Sequence, residues 1–147
     1  MKKRKIKIIL KDALAQLPVY STERSSGCDV FSTQTVNLRV GARVMIHTGI
    51  YMELPEDVEV QVRPRSGLAL KKGITVLNSP GTIDSDYQGE CNVILINHGE
   101  EDVVIAAGDR ICQFVFVENV IQAEFERISE FVETTYRGTG GFGHTGK

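Results

Sequence analysis

The sequence predicts an all-β fold, a sandwich or jelly roll. Three observations predict it. Short apolar runs recur along the chain, and several alternate with the period of two that puts every second side chain on one face. Glycine or proline punctuates them at Pro18, Gly27, Gly41, Gly49, Pro55, Gly73, Gly81, Gly89, Gly99 and Gly108. Only Gly67 to Lys72 reads as clear helix, enough for a turn or two.

Taken in order, Lys5-Ile-Lys-Ile-Ile9 alternates at its start and predicts the first strand. Val36-Asn-Leu38 and Val44-Met-Ile46 flank a turn at Gly41. Val58-Glu-Val-Gln-Val62 alternates cleanly, the pattern of a half-buried strand. Val76-Leu77 and Val93-Ile-Leu-Ile96 read as buried strand on either side of a polar segment. Val103-Val-Ile105 is brief, whereas Ile111 to Val117 is longer and almost continuously apolar. Ile121 to Glu133 fits two patterns. Ile121, Phe125 and Ile128 sit at helical spacing, while Phe125, Arg127 and Phe131 suit an irregular strand. Residues 1–136 are expected to form one domain. Arg137 to Lys147, with five glycines, is expected to be a flexible tail.

At 147 residues the chain is long enough for one ordinary core, and 41% apolar with 24% charged residues is a globular balance. A net charge of -2 argues against a general nucleic-acid binder, and no run has the roughly 20 apolar residues of a membrane span. The basic start Lys2-Lys3-Arg4-Lys5 reads as a solvated end, with a role toward a polyanion as the lesser reading. Cys28, Cys91 and Cys112 are odd in number and form no CxxC pair, which fits neither zinc nor a disulfide framework. Buried, reduced thiols in a cytoplasmic protein are the expectation.

Two motifs in the tail are decoys. Gly138-Thr-Gly-Gly-Phe-Gly143 matches GxGxxG, and Gly141 to Lys147 spells GxxxxGK. Both chemistries need a helix to follow, and the sequence ends here instead. What remains is Arg137 and an aromatic, Phe142, among glycines. That pairing suggests a lid over a ligand bearing both phosphate and base, against the plainer reading of an inert tail.

Arg63-Pro-Arg-Ser-Gly-Leu-Ala69 is a second constellation for phosphate. A strand ends and a helix starts, which brings guanidinium, hydroxyl and free N–H groups together, although Ser66 also suits a plain helix cap. Gly108-Asp-Arg-Ile-Cys-Gln113 enters an apolar strand. Asp109 and Arg110 read as an ion pair there, and Gln113 needs a partner. Densest of all is Gly81-Thr-Ile-Asp-Ser-Asp-Tyr-Gln-Gly-Glu90. Three carboxylates, a tyrosine and two glycines exceed what a chain reversal requires.

Five stretches, in order, resemble the five motifs of the trimeric dUTP diphosphatase (dUTPase) family. They are Ser26-Gly-Cys-Asp-Val-Phe-Ser32, Pro64-Arg-Ser-Gly-Leu-Ala69, Gly81 to Glu90, Gly108 to Gln113, and Arg137 to Gly146. Ser26, Cys28 and His144 depart from common family choices without removing a needed group. The resemblance implies a jelly roll assembled as a homotrimer with three interfacial active sites. It implies hydrolysis of dUTP to dUMP and pyrophosphate, which keeps uracil out of DNA and supplies dUMP for thymidylate synthesis. Asp84 would be the general base. Arg65, Ser66 and Gly67 would hold the α and β phosphates, and Arg137 the γ. Asn78, the main chain at Gly81, Thr82 and Ile83, and groups around Asn92 would read uracil. Phe142 would stack on the base beside Gly143, and Tyr87 would lie against deoxyribose or simply pack the hairpin. Asp86 would shape that Asn78–Glu90 hairpin, and Glu90 would close it. Mg2+ would ride on the phosphates, with Asp29 and Gln113 touching only its waters. Neither nucleic acid nor membrane is expected as a partner. A dCTP deaminase-like enzyme, which needs an acid/base glutamate in the pocket, and a non-catalytic nucleotide binder are the alternatives.

Overall fold

The computed structural model describes residues 3–118 and 120–141. Among them the chain forms eleven strands and one helix. The strands are β1 (Lys7–Leu10), β2 (Cys28–Phe31), β3 (Val36–Leu38), β4 (Arg43–Ile46), β5 (Ile50–Glu53), β6 (Val58–Arg63), β7 (Ile74–Val76), β8 (Gly81–Ile83), β9 (Val93–Asn97), β10 (Val103–Ile105) and β11 (Arg110–Glu118); α1 spans Ser66–Lys72. All pairings are antiparallel. One sheet runs β2-β11-β6-β8, a second β4-β9-β7, and two-stranded ribbons join β1 to β5 and β3 to β10.

The core follows from the alternation. Val60 and Val62 of β6 point inward, as do Val93 and Leu95 of β9, and they share one core with Phe114, Leu38, Ile46, Ile50 and Ile74. On β11 the register with β2 shifts between Arg110 and Cys112. The bulge lets two consecutive residues, Ile111 and Cys112, both be buried. Helix α1 ends at Gly73, whose φ of +66° supplies the left-handed cap that returns its N–H to Ala69 and Leu68.

The turn at Gly41 (φ +72°) is present between β3 and β4, which pair not with each other but with β10 and β9. Two expectations need correction. Asn78 to Glu90 is no hairpin. β7 and β9 pair with each other, and the chain between them crosses to the other sheet, where β8 pairs β6 through Val62↔Gly81, Gln61↔Thr82 and Val60↔Ile83. Residues 121–133 are neither helix nor strand; with Phe125, Phe131 and Val132 fully exposed, they have no core to order against. No helix among the described residues is long and apolar enough to cross a membrane.

Candidate active site

Asp29 on β2 is the hub of the first cluster. It is 3% exposed, and its carboxylate receives four side-chain donors: Arg65 Nε (3.1 Å) and Gln113 Nε2 (3.1 Å) on Oδ1, and Arg110 Nη1 (3.2 Å) and Ser21 Oγ (3.3 Å) on Oδ2. Burial pushes its pKa up, but the Gln113 amide and the Arg65 and Arg110 guanidiniums outweigh burial and hold it below the ordinary value. Arg110 therefore pairs with Asp29 and not, as expected, with Asp109. The Asp109 carboxylate instead accepts from Ala106 N at 2.8 Å. Gln113 finds the partner its apolar surroundings demand. Gly27 gives it room, since a Cβ there would lie 3.0 Å from Gln113 Oε1.

Arg65 is the N-cap residue of α1, in extended conformation and without a side-chain cap bond. Ser66 is thus the first helical residue and not the cap. Its hydroxyl is left for something other than the helix. A second nitrogen of Arg65, Nη1, donates to Arg110 O at 3.1 Å, so this guanidinium ties three elements together. Gly67 has no heavy atom within 4 Å of a would-be Cβ, so open space adjoins the helix start.

The second cluster lies on the excursion between β7 and β9. A small cleft of about 70 Å³ is lined by Asn78, Gly81, Thr82, Ile83 and Asn92 over Val62 and Val76. Gly81 is buried here, and a Cβ would sit 3.2 Å from both Asn78 Nδ2 and Val62 Cβ. A wider cleft of about 260 Å³ shares Thr82, Ile83 and Asn92 and adds Asp84, Tyr87 and Glu90. Asp84 follows β8 directly, is exposed, and accepts from Tyr87 N through its carbonyl at 3.1 Å. Asp86 lines a different hollow with Asp84, Glu56 and Glu59.

Glu90 is fixed from outside this segment. Its carboxylate takes Gly49 N (2.8 Å), Thr48 N (3.2 Å) and His47 Nδ1 (3.0 Å). Burial pushes its pKa up, yet His47 and the Gly49 and Thr48 amides outweigh this and hold it below the usual range. It is the opposite of a proton-donating glutamate. The Asn92 amide, turned to satisfy its hydrogen bonds, reaches the same carboxylate at 3.3 Å. Its side chain therefore serves Glu90, and main-chain groups remain for the small cleft.

Strand β6 links the clusters. On one edge it pairs with β8, Gly81 lying opposite Val62, and on the other with β11, Gln113 lying opposite Arg63, so the two clusters flank the same end of this strand. Arg137 lies in the arm beyond β11 and donates Nε to Gly140 O at 2.8 Å, away from both clusters' hydrogen bonds. Phe142 and Gly143 lie outside the described residues. Among those described, no three His, Cys, Asp or Glu side chains gather as a metal site. Such a donor set fits a cation that keeps its own water, and Gln113 Oε1 has no partner among the described residues to prevent it meeting such a water. A cleft of about 490 Å³ between α1 and the His98–Glu101 turn is lined by none of the predicted site residues.

Sequence reasoning missed Ser21, His47 and Thr48. None sits in a motif, and only the need of a buried carboxylate for several donors pointed to such partners.

The architecture is that of a known fold. It superposes on the dUTPase of Staphylococcus bacteriophage 80alpha, solved with dUPNHPP, with a TM-score of 0.91 over 99% of this chain and 100% of the phage chain; at 24% identity this is a likeness of fold. The chain belongs to the dUTPase family, whose sequence model matches residues 13–146. It is 56% identical over 133 residues to the deoxyuridine 5'-triphosphate nucleotidohydrolase of Ehrlichia canis, covering 88% of this chain and 86% of that one. It is 46% identical to the enzyme of the same name from Fusobacterium nucleatum subsp. nucleatum over the whole of both chains.

Proposed function

We propose that this protein hydrolyses dUTP to dUMP and pyrophosphate. The observation that carries the reading is the cleft in which Asp84 and Tyr87 meet Thr82 and Asn92, continuous with the small cleft of Asn78 and Gly81. A flat base with hydrogen-bonding edges suits the small cleft, a sugar the wider one, and the exposed Asp84 carboxylate the α-phosphorus beyond. Asp84 accepts a proton from a water whose oxygen bonds the α-phosphorus; the bridging P–O bond breaks and pyrophosphate leaves. Arg65, Ser66 and Gly67 hold the phosphates from the start of α1, and Arg137 with Phe142 and Gly143 closes over the nucleotide.

Mg2+ carried by the triphosphate supplies charge neutralisation at the phosphates. Gln113 is the better candidate to meet its waters, because the Asp29 carboxylate already takes four donors.

A homotrimer with shared sites is supported by the arm after β11, which exposes Ile121, Phe125, Phe131, Val132 and Tyr136. Three buried, unpaired cysteines are in keeping with a cytoplasmic enzyme. A deaminase reading is disfavoured by Glu90, the glutamate of the wider cleft, because both its carboxylate oxygens are taken by His47 Nδ1, Thr48 N and Gly49 N. Pyrophosphate release from dUTP, UTP, dCTP and dTTP with Mg2+ is the test. Turnover of dUTP far above the other three is expected; ammonia release from dCTP, or no turnover at all, overturns it.

A further inference from the structure

We propose that Glu90 is a positioning residue that, with His47, fixes the Tyr87 ring against the cleft and so sets the preference for deoxyribose over ribose. This rests on the dUTP reading of the site. Tyr87 is 45% exposed, so packing alone does not hold its ring. Hydrogen bonds do. Its hydroxyl donates to Glu90 O at 3.1 Å, and its N–H donates to Asp84 O at 3.1 Å. The main chain of Tyr87 is thus tied to Asp84, and its hydroxyl to Glu90.

Glu90 itself does not ride on the loop. Thr48 N and Gly49 N fill one carboxylate oxygen and His47 Nδ1 meets the other, all from the turn between β4 and β5, 41 to 43 residues away. Cys91 N, the next amide, donates to Ile50 O at 2.8 Å on the same neighbouring element. The far end of the loop is therefore nailed to a separate part of the fold. Gly89 completes the arrangement: a Cβ there would collide with the Tyr87 hydroxyl, so the ring lies directly over the glycine. With both oxygens engaged, Glu90 acts through Tyr87 and not on the substrate. Removing its carboxylate frees the anchor of the tyrosine, and the Asn92 side chain that leans on it, while leaving Asp84 and Asn78 in place.

The test measures kcat and KM for dUTP and UTP separately in the wild type and in Glu90→Ala, Glu90→Gln and His47→Ala. The expected result is a fall in the dUTP/UTP ratio of kcat/KM by about tenfold in Glu90→Ala and about threefold in His47→Ala. Glu90→Gln, whose carbonyl still accepts from Thr48 and Gly49, should recover most of the ratio. An unchanged ratio in Glu90→Ala, with both substrates slowed equally, overturns the proposal and leaves Glu90 a purely structural anchor. If Glu90→Ala does not fold, His47→Ala decides by the same ratio. Absence of dUTP turnover in the wild type refutes the underlying reading instead.

Discussion

Arg65 Nε donates to Asp29 Oδ1 at 3.1 Å from the residue that immediately precedes α1. The same guanidinium bonds Arg110 O, so the helix start is held to β2 and β11 by one side chain. A phosphate reaching Ser66 and Gly67 would meet a platform whose position was set beforehand, and preorganised donors are worth more than ones that must be gathered.

Asp29→Ala should therefore cost more than an ordinary surface change. It removes a nearly buried carboxylate and leaves two guanidiniums facing each other. Breaking such a pair costs about 3–5 kcal/mol, read as a lowered urea midpoint. A loss below about 1 kcal/mol would mean the cluster is solvated like an exposed pair.

Asp84→Asn should abolish hydrolysis and spare binding. The side chain is exposed and outside the hydrogen-bond network, so folding has little reason to change. We expect kcat to fall at least about 100-fold, with dUTP affinity by calorimetry within a fewfold. Retention of more than about a tenth of wild-type turnover would remove Asp84 from the role of base.

Acid should weaken the fold through Asp29 and Glu90. Both carboxyls titrate lower folded than unfolded. Their contribution is thus fully present above the unfolded value, about 4, and is lost as pH falls through the lower folded value. Urea midpoints should be flat above about pH 5 and drop below about pH 4, with Asp29→Asn flattening part of that drop.

The cysteines should be silent toward alkylation. Burial pushes Cys91 up to about 12 and Cys112 higher still, and Cys28 is also raised by burial. Iodoacetamide at pH 8 should modify none of the three until denaturant is added, as followed by intact mass. Rapid labelling of the native protein would show that the core opens.

Removing residues 137–147 should lower kcat/KM steeply and leave the thermal midpoint within a few degrees. Residues 137–139 are exposed, and nothing in the core leans on them. A collapse in thermal stability would make the tail structural instead.

The strands that alternate, β6 above all, were readable because burial on one face leaves a period of two in the sequence. β8 was not: Gly81-Thr82-Ile83 is three residues inside a polar motif, and its partner β6 is set by the whole fold. The arm defeated both periods, because Ile121, Phe125 and Ile128 have no surface within this chain to pack on. In the site, the residue types were readable and their partnerships were not. Asp29 announced itself within a motif, but His47 is a lone histidine whose value depends on a carboxylate 43 residues away.

The Asp29 hub also constrains when the protein becomes functional. Its donors are separated from it by 36, 81 and 84 residues for Arg65, Arg110 and Gln113. A growing chain that has β2 but not β11 can bury its first strands with this carboxylate still in search of cations. Contacts so distant in sequence form slowly, after local structure. The phosphate end of the site is thus among the last parts to be assembled on synthesis, and a truncated product lacking β11 would have no working half-site to misuse a nucleotide.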